Sequence, residues 1–302
     1  MTRPPTALAL PPPLPALGGE TVKASMAHGW QALRERWLCL GPNCGERNGL
    51  RSWCKLPARI QLQQGWCCSP ECFQAAFEQM AAPLLRTLSQ PRAPRPHRVP
   101  LGLLLLSRGR IDSVQLRQAL QAQQAENHGR IGDWLIRQGA IAEDDIAAAV
   151  GLQWARPLYP LAQSQTWRLC RGWVPLALLQ ALRMLPLHFA ADRRRLYVGF
   201  TQTVEFTALA ALAQIFECKI ESCIVTDSSL DAALEQLRTL PPHEQVQDVG
   251  FDRMDDSAEI AGIVRQYARY AEARQIRLAT AGPFLWVRIR GEKIVHLTFR
   301  GR

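Results

Sequence analysis

The sequence predicts an α+β multidomain chain. A small cysteine module comes first, then tandem helical repeats packed with a small α/β sandwich, then a short helix-plus-strands C-terminal region. Three observations carry this. A 24-residue pattern occurs twice, in Pro100–Gln123 and Arg130–Gln153, offset by 30 residues. Six of the nine cysteines fall between Cys39 and Cys72. After the repeats, apolar spacing changes from helical to alternating in MLPLHFA and RLYVGFT, which flank the polar turn ADRR.

Length and charge bound the rest. A chain of 302 residues with 47% hydrophobic content accommodates roughly two or three cored domains. Lys and Arg number 36 against 26 Asp and Glu, a net charge of +10 supplied almost wholly by Arg. That balance suits anionic partners without choosing among nucleotides, nucleic acid and acidic protein surfaces. No apolar run reaches the roughly 18 residues of a membrane span. Pro4, Pro5 and Pro11–Pro13 break the N-terminal apolar stretch, so no signal-peptide core is read there. Both features lead to the expectation of a cytoplasmic protein.

Residues 1–25 read as a disordered, Pro-rich tail. Residues 26–82 hold the cysteine cluster. Cys39 and Cys44 flank the turn-forming LGPN, while Cys68 and Cys72 enclose SPE and run into an apparent helix, FQAAFEQM. Two close thiolate pairs separated by a loop are what tetrahedral Zn²⁺ requires, so Cys39, Cys44, Cys68 and Cys72 are the candidate metal ligands. The second pair lies at a helix start, where free N–H groups favour thiolate charge. Between the pairs a hairpin is expected, with Arg59–Leu62 as one strand and Gly65 near the turn. The segment resembles a treble-clef-like zinc finger ending in Cys-Ser-x-x-Cys. That resemblance leaves Cys54 spare and puts Cys67 where an aromatic usually stands. Reduced buried thiols without metal are the alternative. Residues 83–98 read as a linker, kept extended by Pro91, Pro94 and Pro96 and made basic by Arg86, Arg92, Arg95 and Arg98.

Residues 99–240 form the next unit, and each 24-residue copy reads as two short helices. Leu101/Leu105 and Ile131/Leu135 share helix faces four apart. Gly109 and Gly139 fit C-terminal caps, where positive φ is cheapest for Gly. Asp112 with Gln115 forms a capping box; Ala142 at the equivalent place makes the second copy's cap weaker. The spacing alone is also satisfied by a plain helical bundle with Leu as core filler.

The copies also resemble the tandem motif in the N-terminal domain of assembly ATPases of type II secretion and type IV pili. Leu101, Gly102, Leu105, Gly109, Leu116, Leu120 and Gln123 match the first copy. Arg130, Ile131, Gly132, Leu135, Gly139, Ile146, Val150 and Gln153 match the second. A subset of that family binds cyclic di-GMP. By resemblance, Arg130 would meet phosphate or a guanine edge, and Gln123 and Gln153 would supply polar contacts. Leu101, Leu105, Leu116, Leu120, Ile131 and Leu135 would form apolar walls, with Gly102, Gly132 and Asp133 in the same site. Pro100 stands where the motif has its first Arg, and it offers no charge-assisted contact to phosphate.

After Gln153 the pattern predicts an extended connection, a helix over Val174–Leu182 and strands at 184–190 and 195–201. A helix in TVEFTALAALAQIF, a strand in CKIESCIV and a helix in SSLDAALEQL complete the α/β half. Cys170, Cys218 and Cys223 sit among apolar residues and read as core. Residues 241–302 begin as a linker, PPHEQVQDVGFDRMDD. An amphipathic helix follows, with Ile260, Ile263, Val264, Tyr267 and Tyr270/Ala271 on one face. Three short strands end the chain, turning near Gly291-Glu292. This region resembles a degenerate form of the segment preceding the motor domain in the same ATPases.

The sequence contains no Gly-Lys dipeptide and so no G-x-x-x-x-G-K-[ST] phosphate loop. The six histidines are scattered without triad or metal spacing. The expectation is therefore a non-catalytic regulator or adaptor acting with secretion or pilus machinery, with structural Zn²⁺ and with cyclic di-GMP as ligand. The alternative is a zinc-finger nucleic-acid-binding regulator, which the basic linker favours only weakly.

Overall fold

The computed structural model describes residues 39–44, 60–88, 98–241 and 244–301. The Pro-rich tail, Cys54 and residues 89–97 of the linker lie outside them.

The tandem stretch folds as two helix pairs: α2 (Leu101–Ser107) with α3 (Ser113–Glu126), and α4 (Ile131–Arg137) with α5 (Glu143–Trp154). The turns inside the pairs are superimposable in their hydrogen bonds. Gly109 N donates to Leu106 O and Arg110 N to Leu105 O; Gly139 N donates to Ile136 O and Ala140 N to Leu135 O. Gly109 and Gly139 hold φ of +63° and +67°, as left-handed caps require. The Asp112–Gln115 capping box forms in full, whereas Ala142 gives α5 no side-chain cap. Glu143, Asp144 and Asp145 in the first turn of α5 favour its positive end instead.

A three-stranded sheet follows, in the order β3 (Met184–Ala190), β4 (Arg195–Phe200), β5 (Lys219–Ile224). β3 and β4 are antiparallel; β4 and β5 are parallel, connected through helix α7 (Phe206–Phe216). Helices α6 (Leu176–Ala181) and α8 (Asp227–Thr239) complete the sandwich. The extended connection after α5 joins β5 through a Leu158–Ile224 bridge.

The second sheet unites stretches far apart in sequence. Its order is β2 (Gly65–Cys67), β1 (Ile60–Leu62), β7 (Gln275–Ala281), β8 (Phe284–Arg290), β9 (Ile294–Arg300), β6 (Val246–Asp252). The cysteine hairpin therefore extends the C-terminal sheet, with Gln61 N donating to Arg274 O at 3.0 Å. The long helix α1 (Pro70–Leu88) packs against α9 (Ser257–Tyr270) over this sheet. Phe73, Phe77, Ala81 and Leu85 of α1 share one core with Ile260 and Val264 of α9 and Leu278, Val287 and Leu297 of the sheet. Sequence reading kept residues 26–82 and 241–302 apart, because strand pairing across two hundred residues leaves no local trace.

Two segments read as linker are regular structure. Residues 83–88 continue α1 through Pro83. Proline costs a helix one hydrogen bond, and the buried stripe ending at Leu85 outweighs that cost. Residues 246–252, within the expected 241–256 linker, form edge strand β6, parallel to β9. Only Val249 and Phe251 pack on the core from this strand, so its alternation is too weak to read. Ala271 is buried at the end of α9, but Tyr270 is exposed, its ring carrying Lys293 at 4.3 Å.

One polar row crosses the sheet face turned toward the α/β sandwich. Arg277, Arg288, His296 and Asp248 are cross-strand neighbours on β7, β8, β9 and β6. Arg277 Nη1 donates to Gln214 O at 3.0 Å. Arg288 lies 4.8 Å from the Phe216 ring centroid. His296 is wholly buried, with Trp286 Nε1–H on its Nδ1 and its Nε2–H directed at Gly172 O. Asp248 Oδ2 accepts the Leu176 amide. Each residue of the row thus meets a group on the neighbouring sandwich.

Candidate functional site

The cysteine centre is built by two knuckles. Cys39 and Cys44 bracket a turn closed by Cys44 N donating to Gly41 O at 3.2 Å. Cys68 leaves β2, and Cys72 sits in the first turn of α1, its amide bonded to Ser69 Oγ at 3.2 Å. The sulfurs of Cys39, Cys44, Cys68 and Cys72 all lie within 4.8 Å of one another. Cys44–Cys68 and Cys68–Cys72 are 3.4 and 3.7 Å apart. Tetrahedral Zn–S bonds imply S···S separations of about 3.8 Å, so the set has the chemistry and nearly the spacing of a four-thiolate site.

The Cys39 sulfur also accepts the amides of Gly41 and Cys68 at 3.4 and 3.3 Å. Burial opposes the Cys39 thiolate, but these amides together with the Cys68 and Cys72 thiols outweigh it and hold the thiol below its ordinary value. Cys67 is different: burial, then the nearby Cys39 and Cys72 sulfurs, push its thiol up to about 12, and its side chain is core. Gly41 is a contributor that sequence reasoning missed. A Cβ there would lie 2.6 Å from Cys72 Sγ, so only Gly lets the knuckles close.

The second feature is a cleft of about 220 Å³ between the second tandem copy and the α/β sandwich. The structure brings Leu101, Arg130, Ile131, Gly132, Asp133 and Gln153 to its wall. Thr201, Gln202 and Asp227 of the sandwich face them. Arg130 ends the turn before α4, its side chain 52% exposed, with Nε 3.0 Å from Asp133 Oδ2 and Nη2 3.5 Å from Asp227 Oδ2. Asp227 opens α8 and is bonded by Arg183 Nη2 at 2.6 Å and by Gln202 Nε2. Burial raises its carboxyl, but the Arg183, Gln202 and Thr201 bonds and the Arg130 charge outweigh that and hold it below the usual range. Asp227 and Gln202 come from a part of the chain that carries no tandem pattern, which is why the sequence did not flag them.

Ile146 and Val150 of the motif also line the cleft, and the remaining motif residues lie elsewhere. Leu105, Leu116 and Leu135 are buried in the main core, Leu120 is 41% exposed and Gly102 packs against Leu116. A Cβ on Gly102 would approach Leu116 Cδ1 to 2.6 Å; on Gly132 it would meet Ile146 Cγ2 at 3.3 Å. Both glycines let paired helices approach. The two motif glutamines form a reciprocal clasp. Gln123 Nε2 donates to Gly129 O, just before the second copy, and Gln153 Nε2 donates to Val99 O, just before the first. Arg98 bonds Gln153 O at 2.8 Å and stacks 3.6 Å from the Trp154 ring centroid. Its guanidinium is therefore engaged at the end of α5.

No protein-family model matches the chain, and no curated protein matches it. Among solved structures, that of MshE with cdg aligns at 24% identity and TM-score 0.39, covering 46% of this chain and 99% of that one. The N-terminal domain of XpsE aligns at 18% identity and TM-score 0.34, covering 49% of this chain and 98% of that one. A second crystal form of the XpsE domain aligns at 20% identity and TM-score 0.28.

Proposed function

We propose that this chain is a non-catalytic regulatory or adaptor protein whose tandem-motif unit binds cyclic di-GMP and whose cysteine centre holds structural Zn²⁺. The observation that carries the ligand reading is the cleft at the second tandem copy. It combines apolar Leu101 and Ile131 with the cation of Arg130 and the polar Asp133 and Gln153. Apolar walls suit a purine face, and a guanidinium suits a phosphodiester. The net charge of +10 favours such an anion. The partner class is secretion or pilus machinery, by the motif resemblance. For catalysis, phosphoryl transfer needs a phosphate-cradling loop and its Lys, and no Gly-Lys pair occurs in the sequence.

Four sulfurs within bonding range of one cation support zinc, which would cross-link the hairpin to α1. Equilibrium dialysis of the full chain with cyclic di-GMP, GMP and ATP tests the ligand reading. Retention of cyclic di-GMP alone, at micromolar concentration, is expected; equal retention of all three, or of none, contradicts it.

A further inference from the structure

We infer that Asp227 is a closing carboxylate, an internal anion that occupies the donors an anionic ligand needs and that such a ligand must displace. The inference rests on the cyclic di-GMP reading for the identity of the ligand, but not for the existence of the closing contact.

Two contacts tie the second tandem copy to the start of α8. Arg130 reaches Asp227 at 3.5 Å. Glu143, in the first turn of α5, accepts both the Ser228 amide at 2.7 Å and the Ser228 hydroxyl at 2.5 Å. Each contact runs from a residue of the tandem unit to a residue of the sandwich, and each crosses the cleft. The groups that would bind phosphate here are the guanidiniums of Arg130 and Arg183, the Gln202 amide and the first amides of α8. In this conformation Asp227 engages Arg130, Arg183 and Gln202, Glu143 engages the Ser228 amide, and Asp133 and Asp231 take further N–H groups of the two guanidiniums.

Asp227 is the exchangeable member. Its side chain is 26% exposed, and the Arg130 partner is half exposed and shared with Asp133. The Arg130 pair, half exposed on its Arg130 side, contributes little; the Arg183 and Gln202 bonds that Asp227 also gives up are the ones a dianionic ligand must remake. Arg183 is the complementary addition to the site. It is held by Asp227 and Asp231 and lies within one carboxylate of Arg130. Displacing Asp227 would give a phosphodiester two guanidiniums, one from each side of the cleft, although Pro100 removes the first motif Arg. A ligand seated so would exchange a protein–protein contact for a protein–ligand one, and the tandem unit would loosen from α8 as it bound.

The test compares the full chain with Asp227→Asn, which keeps the shape and removes the charge. Two measurements are made: calorimetric titration with cyclic di-GMP, and backbone hydrogen exchange without ligand. Asp227→Asn is expected to bind roughly two- to fivefold tighter, the worth of one screened ion pair, and to exchange amides of residues 131–135 faster. If both proteins bind equally, or the variant binds more weakly, Asp227 does not compete and the inference is overturned while the ligand reading stands. If neither binds, the ligand reading fails and exchange decides alone. Faster exchange in the variant then keeps Asp227 as the closing contact, and unchanged exchange removes it.

Discussion

Single residues hold this molecule at places where charge or volume has no slack. His296 is buried among Trp286, Arg288 and the Gly172 carbonyl. Burial, then the Arg288 charge, depress it to about 3, against the Gly172 carbonyl, which favours the charged form. An unfolded chain protonates this imidazole near pH 6.5. The folded chain then binds fewer protons, so stability is full above about pH 6.5 and falls as pH drops toward 3. The loss is at most about 1.4 kcal/mol per pH unit from this group. Urea unfolding at pH 7.5 and 5 should show a smaller decline for His296→Gln than for the native chain; identical declines would remove His296 as the cause. Gly291 is constrained by volume. A Cβ there would lie 2.1 Å from Ala271 O and 2.3 Å from Glu272 O, both backbone atoms. Gly291→Ala should cost about 1–3 kcal/mol in a denaturant melt, and a change below about 0.5 kcal/mol would show that the end of α9 yields readily.

Among elements, α1 has the widest consequences, because it carries Cys72 at one end and packs on α9 along its length. If zinc joins Cys39, Cys44, Cys68 and Cys72, its removal frees the hairpin β1–β2 and the start of α1. β1 is paired with β7, so the loss should spread to the C-terminal sheet. A strong chelator is expected to lower the melting temperature and to speed amide exchange in residues 275–281 as well as 60–67. Loss confined to 60–67 would show that the hairpin is only appended.

Local periodicity made most elements legible. The tandem helices, β3 to β5, α7 to α9 and β7 to β9 all lie where apolar spacing and Gly or Asp caps put them. β6 escaped because an edge strand buries few side chains, and the end of α1 escaped because Pro83 reads as a break. The clasp of Gln123 and Gln153 was invisible, since nothing local says whether an amide meets a ligand or the carbonyl before the other copy.

At the scale of the whole molecule, the chain closes on itself. The cysteine hairpin and the C-terminal strands form one sheet, and the polar row of that sheet faces the sandwich. The sandwich in turn meets the tandem unit across the cleft. The four-sulfur cluster could be read from the sequence because two close pairs carry their own spacing. The cleft could be read only in half, because Arg130, Ile131 and Asp133 belong to a pattern while Asp227 and Arg183 meet them through folding alone. The proposed function rests on that cleft. Calorimetric titration of cyclic di-GMP into the full chain, beside Arg130→Ala, tests it most directly. Loss of one charge-assisted contact is worth about 1.5–3 kcal/mol, so saturable binding weakened roughly ten- to a hundredfold by Arg130→Ala is the predicted result. Absence of saturable heat, or binding indifferent to Arg130, would contradict it.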